Sequence, residues 1–312
     1  MEKIMEVKNL EKTFGNNKVL NNVSFDVYRG EVLCILGPNG AGKTTTINIL
    51  TAALNSNSGE VLFNSKPISK NLRGYKQLLG IVPQDIALYE ELTAERNLRF
   101  FASLYGLHGN SLDSAVDGAL EFSGLSDRRH DKVKTFSGGM KRRLNIACAI
   151  AHHPQIVIMD EPTVGIDPQS RNHILNSIKK LQSNGMTVIY TTHYMEEVES
   201  ISSRIIIMDH GNIIAEGTKE SLKESVENEK HYTIKIDSAD SIEPTDFLKI
   251  IGVKSSQIAD DTIKITSDKN IENLDQIIAL ITKHGSKIIN INSETASLEM
   301  VFLKLTGRKL RD

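Results

Sequence analysis

The chain has 312 residues, enough for about two domains at roughly 150 residues each. With 39% hydrophobic and 24% charged residues it is not a disordered tail, a collagen-like repeat or a disulfide scaffold. Thirty-seven Lys+Arg against 39 Asp+Glu leave a formal net charge of −2, so no global basic field gathers nucleic acid or anionic lipid.

In chain order, Met1-Glu2-Lys3-Ile4-Met5-Glu6 lacks the apolar run of a secretory signal. Ile4 to Leu10 and Val19 to Val27 predict an antiparallel strand pair. Val32 to Leu36 is a short apolar strand that runs into a glycine-rich turn, with a helix expected from Lys43 to Leu54. Ile156 to Met159 and Val188 to Tyr190 are further β-branched runs, each followed by a helix-like segment. Apolar strands of this kind, separated by helices, predict a parallel sheet with crossover helices. Between Thr93 and Pro154 the strand signal disappears. Thr93 can cap a helix from Ala94 to Tyr105 that stops at Gly106, and Leu112 to Phe122 reads as another before Gly124. An inserted helical subdomain at about 93–154 is therefore expected within a first domain of residues 1–225.

The polar run Ser225 to Lys230 reads as a linker to a second domain, 226–312. There, Tyr232 to Ile236 alternates as a strand and Pro244 to Ile251 suits a helix. Val253 to Ile258 and Thr262 to Ile265 suit a strand pair joined at Asp260-Asp261. Ile271 to Lys283 suits a helix and Lys287 to Ile291 a strand. That β-α-β-β-α-β order is the ferredoxin-like pattern. A last helix places Leu298, Val301, Phe302 and Leu305 on one apolar stripe, read as core packing.

The two cysteines, Cys34 and Cys148, sit in apolar stretches and read as buried, reduced thiols of a cytosolic protein; no spacing suits structural zinc. The longest aliphatic runs, such as Ile205 to Met208, fall far short of the roughly 18 residues of a membrane span. A membrane role would be that of a peripheral subunit.

Gly37-Pro38-Asn39-Gly40-Ala41-Gly42-Lys43-Thr44 fits the phosphate-binding pattern G-x-x-x-x-G-K-[ST], placed as it should be between a strand and a helix. The glycines let backbone N–H groups turn toward a phosphate, and the helix aims its positive end at the anion. Lys43 is expected on the β- and γ-phosphates and the Thr44 hydroxyl on Mg²⁺, with Thr45 beside it. Downstream, Ile156 to Met159 ends in Asp160 and Glu161. Asp160 suits the metal's surroundings, and Glu161 suits a base for an attacking water.

With these residues assembled, the first 220 or so resemble the nucleotide-binding subunits of ATP-binding cassette (ABC) transporters, and the family's motifs occur in order. The resemblance implies that Phe14 stacks on adenine and that Gln84, in Val82-Pro83-Gln84-Asp85, senses metal and attacking water. It implies that Phe136-Ser137-Gly138-Gly139-Met140 is the signature motif and Asp160-Glu161 the metal aspartate and adjoining base. Val164-Gly165-Ile166-Asp167 resembles the D-loop, and His193 the switch histidine. The implied fold is a P-loop NTPase cassette: a mixed sheet with a parallel core, an N-terminal antiparallel β part and an inserted α-helical subdomain, followed here by a small α+β domain. The implied activity is ATP hydrolysis that powers a separate membrane permease from the cytoplasmic face. Two cassettes close head to tail on two ATP·Mg²⁺, with Ser137, Gly138 and Gly139 of one copy reaching the γ-phosphate held by the other.

Phe136 and Met140 replace the commoner Leu and Gln of the signature, and Val164-Gly165-Ile166 replaces Ser-Ala-Leu. Phe-Ser-Gly-Gly-Met followed by Lys141-Arg142-Arg143-Leu144, and the terminal run from Ser297 to Gly307, are similar to the antibiotic- and multidrug-exporter branch. Export of a drug- or lipid-like substrate is the implied direction. The permease is expected to meet Asp85 to Glu91; the next helix reads Glu95-Arg96-Asn97-Leu98 where relatives read Arg-Glu-Asn-Leu. Lys141-Arg142-Arg143 reads as a solvated helix face or phosphate-site support rather than a nucleic-acid contact. His152-His153 reads as a pair of cations suited to a helix end. The alternatives are a cassette ATPase acting on nucleic acid or ribosomes, and a non-catalytic nucleotide-binding module. One P-loop, one signature and no sustained heptads oppose the first. Intact Lys43, Asp160, Glu161 and His193 oppose the second.

Overall fold

The computed structural model describes residues 2–226, 229–239, 242–294 and 297–307. They fall into two units, one ending at Lys219 and one running from Glu220 to Gly307.

In the first unit, Lys3–Phe14 and Asn17–Tyr28 pair antiparallel, and Ser58–Phe63 joins the other edge of Lys3–Phe14. A second sheet has the strand order Asn212–Gly217, Arg204–Asp209, Val32–Leu36, Thr187–Thr192, Ile156–Asp160, Leu79–Val82. Its last five strands are parallel and the first is antiparallel. Every residue of Val32–Leu36, Ile156–Asp160 and Thr187–Thr192 is buried, as expected of parallel strands covered on both faces. One apolar core joins the two sheets: Leu10, Leu20 and Val27 meet Leu33, Ile35, Ile158, Ile189 and Ile206, with Ile47 and Leu50 from the helix Lys43–Leu50.

Register decides where the site forms. Leu36 pairs with Thr192, Asp160 with Thr191, and Val82 with Met159. The loops carrying Gly37–Gly42, Gln84, Glu161 and His193 therefore leave the sheet along one edge, at the carboxyl ends of parallel strands.

Helices Ala94–Leu104, Gly109–Ser123 and Gly138–Ile150 form the inserted subdomain around Leu98, Ala102, Val116, Leu120, Leu144 and Ala147. Thr93 accepts the Arg96 N–H as the first helix's cap. The only strand-like pairing between 93 and 154 among the described residues is an isolated bridge, Thr93 to Lys132.

The second unit is an antiparallel sheet of order Val253–Ala259, Thr262–Asp268, Glu229–Ile236, Ile288–Glu294, with connectivity β-α-β-β-α-β through Pro244–Phe247 and Leu274–Lys283. Ile234, Ile236, Phe247, Ile263, Ile265, Ile277 and Ile281 form its core. The helix from Pro244 stops at Phe247, short of the expected Ile251, because i→i+3 bonds at Lys249 and Ile250 tighten the chain toward Gly252. Leu298, Val301 and Phe302 are buried as expected, but Leu305 is 39% exposed in the last turn before Gly307. No helix of the described residues is long and apolar enough to cross a membrane.

Candidate functional site

The loop Gly37–Gly42 joins a buried strand to the helix Lys43–Leu50. Gly42 caps that helix at φ 100°, and a Cβ there would lie 2.7 Å from Leu20 Cδ2, so only glycine fits. No side chain caps the helix, which leaves its first-turn N–H groups available to an anion.

Lys43 is 4% exposed. Its ammonium donates to the carbonyls of Gly37 (2.8 Å) and Pro38 (3.1 Å) and lies 2.9 Å from Glu161 Oε1. Glu161 Oε2 is in turn 3.2 Å from His193 Nδ1. Burial pushes the Glu161 carboxyl upward, but the Lys43 ammonium and then His193 more than offset this and hold it below the usual carboxylate value. Glu161 also adopts φ 43°, a left-handed conformation costly for a side-chain-bearing residue and found where function over-determines the backbone.

A threonine pair at the end of Thr187–Thr192 holds these carboxylates in place. Thr191 Oγ1 donates to Asp160 Oδ1 (2.6 Å) and accepts the Glu161 N–H (2.9 Å). Thr192, pointing to the opposite face, donates to Glu197 Oε2 (2.7 Å). Glu197 is 1% exposed and also receives Thr163 Oγ1 on Oε1 (2.6 Å) and the Tyr190 hydroxyl on Oε2 (2.9 Å). Arg171 Nε lies 3.5 Å away. One buried carboxylate thus ties the chain just after Glu161 to the chain just before His193. Motif matching does not reveal Glu197. The usable signal is helical periodicity, because Glu197 shares an inward face with Val198 and Ile201.

The structure brings Asn39, Gly40, Gly42, Lys43, Thr44, Thr45, Gln84 and Glu161 together around a cleft of about 160 Å³. Val19 completes its lining; Asp160, which is buried, and His193 are not part of it. Phe14, Ser137, Gly138 and Gly139 do not line this cleft. The Phe14 ring is 49% exposed, with the Lys12 ammonium 5.2 Å from its centre. Ser137 caps the helix Gly138–Ile150 by accepting the Met140 N–H, with Ser137 and Gly138 exposed. Gly139 is packed: a Cβ there would lie 2.0 Å from Ser170 Oγ. Asp167 caps the helix that carries Ser170 by accepting its N–H.

Two expectations are corrected here. Lys141-Arg142-Arg143 is not a solvated face. Lys141 bonds Glu90 (2.6 Å), Arg142 is 4% exposed and bonds the carbonyls of Pro83 and Gln84, and Arg143 bonds the Ser123 carbonyl. Nor is His152 a helix-end cation. Its Nε2 lies 3.0 Å from the Leu79 carbonyl, its ring stacks on Tyr105, and burial pushes its pKa down to about 4. Cys34 and Cys148 are free and buried, and burial raises both thiols.

Comparison with known proteins agrees with this geometry. The ABC transporter family model matches residues 20–164. A linearmycin resistance ATP-binding protein of Bacillus subtilis (strain 168) is 41% identical across 99% of this chain and 100% of its own. A Nod factor export ATP-binding protein I of Cupriavidus metallidurans is 34% identical across the whole of both chains. Among solved structures, an ATP-binding subunit of an ABC transporter superposes with a TM-score of 0.65 at 30% identity, covering 71% of this chain and 92% of its own. A cassette solved as a dimer in a post-hydrolysis state with ADP and Pi superposes at 0.63 and 27% identity, covering 69% and 98%.

Proposed function

The chain belongs to the ABC transporter family as an ATP-binding, ATP-hydrolysing subunit, and from that premise we propose that two copies close head to tail on ATP and Mg²⁺ to drive an export permease. One observation carries the reading. Lys43, Thr44, Gln84 and Glu161 converge on one cleft, while the exposed Ser137 turn of the same chain is not part of its lining and is left to serve another copy's nucleotide.

The triphosphate takes Lys43 from its present partners, the Gly37 and Pro38 carbonyls and Glu161. Losing the ammonium restores basicity to the Glu161 carboxylate, which then orients and deprotonates the attacking water. His193, already beside Glu161, holds the water and γ-phosphate in line. Without nucleotide, the same lysine thus holds Glu161 less basic than it is once the triphosphate is bound.

The donors suit Mg²⁺. Thr44 and Gln84 at the cleft and the buried Asp160 offer hard oxygen donors, the kind Mg²⁺ takes. When bound, the ion neutralises charge on the transferred phosphoryl group. Phe14 offers an exposed ring to adenine. In this reading Gly37, Pro38, Asn39, Gly40, Ala41, Gly42 and Thr45 cradle the phosphates.

The permease side of the reading rests on residues 85–91. Tyr89 is 51% exposed and packs edge-on to Phe100, while Asn97 bonds the Tyr89 N–H and carbonyl. Glu90 and Glu91 are engaged by Lys141 and Lys134. Tyr89→Ala is therefore a cleaner probe of permease co-purification than charge reversal at Glu90 or Glu91. Antibiotic resistance and Nod factor export in the relatives' names favour outward transport, from the cytoplasmic face of the membrane. The nucleic-acid alternative loses its basic run to internal bonds. Single-turnover hydrolysis tests the assignment: Glu161→Gln binds ATP and hydrolyses it about 10²- to 10⁴-fold more slowly. Near wild-type turnover would remove Glu161 from the base role.

A further inference from the structure

Arg142 is a buried cation whose hydrogen bonds go to main chain. Nη1 donates to the Pro83 carbonyl (2.8 Å) and Nη2 to the Gln84 carbonyl (2.5 Å), while Nε has no hydrogen-bond partner among the described residues. Among the described residues no carboxylate lies within ion-pair distance of it, although the Asp85 charge is near enough to favour the cation against its burial. For stability alone this is a poor arrangement, because burying a guanidinium forfeits hydration that two carbonyls only partly replace. What it does supply is geometric. A planar fork holds two successive carbonyls with two nitrogens fixed in one plane, a more directed grip than the rotating donors of an ammonium.

The grip sits at a junction. Arg142 belongs to the helix Gly138–Ile150, which Ser137 opens, and it holds the backbone of Gln84, a residue of the cleft lining. The rest of the segment is held to the same subdomain: Lys141 bonds Glu90, the Lys134 N–H bonds the Glu90 carbonyl, the Val133 N–H bonds the Leu92 carbonyl, and Asn97 bonds Tyr89. From residue 83 to 92 the chain is therefore bonded to the helical subdomain, although it begins at the end of the sheet strand Leu79–Val82.

We propose that Arg142 is a positioning residue for Gln84: it binds the Gln84 backbone to the helix begun by Ser137, so that a shift of that helix when a second copy engages Ser137 changes where Gln84 stands in the cleft. This rests on the reading that Gln84 takes part in hydrolysis and that Ser137 serves another copy's nucleotide. Arg142 touches no nucleotide itself. Its effect passes through Gln84.

The test is a cycle of Arg142→Met, Gln84→Ala and the double variant, with Arg142→Lys as the conservative control. Nucleotide affinity, kcat and amide exchange over residues 84–89 are measured in the full chain. Arg142→Met is expected to keep ATP affinity within about 2-fold and to lower kcat about 10- to 100-fold, the range of a misplaced catalytic group. It is also expected to speed exchange over 84–89 without nucleotide. Arg142→Lys, able to reach one carbonyl, falls between, and it carries the test if the methionine variant does not fold. The double variant is no slower than Gln84→Ala alone. Multiplicative losses, an unchanged kcat in Arg142→Met, or unchanged exchange would overturn the proposal. An unchanged kcat in Gln84→Ala would instead refute the role of Gln84, and the exchange measurement would then decide whether Arg142 holds the segment.

Discussion

Removing the Glu197 carboxylate is expected to destabilise the first unit more than most single changes. Glu197→Ala strands three buried hydroxyls, of Thr163, Tyr190 and Thr192. Tyr190 and Thr163, 3.3 Å apart, can satisfy each other once; Thr192 keeps the Tyr194 N–H it accepts but loses its own acceptor. Hydrogen bonds to a charged group contribute about 1.5–3 kcal/mol each, partly offset because the desolvated carboxylate is gone as well. The expected loss is about 3–5 kcal/mol for Ala. For Gln it is about 1–2 kcal/mol, since the amide oxygen still accepts while the NH₂ forces one hydroxyl to rotate. Urea unfolding followed by a probe in the first unit measures both. Because Thr163 follows Glu161 by two residues and Thr192 precedes His193, the folded Gln variant should also turn over more slowly at unchanged ATP affinity. A loss below about 1 kcal/mol for Ala would show that the network is not the structural tie described here.

His152 makes stability depend on acid. Its folded pKa, about 4, lies below the ordinary 6.5, so the unfolded chain binds more protons between those values. The stabilisation is present above about pH 6.5 and is lost as pH falls toward 4. The shift corresponds to about 2 kcal/mol between pH 7 and 5, and the ring's partial exposure reduces this to about 1–2 kcal/mol. His152→Phe should flatten the pH dependence of urea midpoints by that amount, and an unchanged slope would mean that His152 is not the titrating group. Gly139→Ala should cost about 1–3 kcal/mol through its collision with Ser170, and Ser170→Gly should relieve it. A Gly139→Ala chain as stable as the wild type would show that the two helix starts can separate freely.

The parts of this molecule visible in the sequence share a cause: strong local signals. Val32–Leu36 and Ile156–Asp160 are wholly apolar but for the terminal Asp160, and the Gly37–Thr44 pattern sits between a strand and a helix. Leu79–Val82, by contrast, has four residues including a glycine, and Ser58–Phe63 begins with three exposed positions; neither stands out from its neighbours. The residues misread or missed are charged or polar groups whose partners lie far away in sequence. Arg142 finds carbonyls 58 and 59 residues earlier, and Thr191 finds Asp160 31 residues before it. Periodicity can say that Arg142 or Glu197 faces inward, but only tertiary pairing says what it holds.

The Glu161→Gln chain, mixed with ATP and Mg²⁺ and sized by light scattering, tests the central claim most directly. A nucleotide-dependent dimer is expected, absent without ATP and absent again when Ser137→Arg is added, although the doubly substituted chain still binds ATP through its own Lys43. A chain that stays monomeric at saturating ATP, or a dimer indifferent to Ser137→Arg, would contradict it.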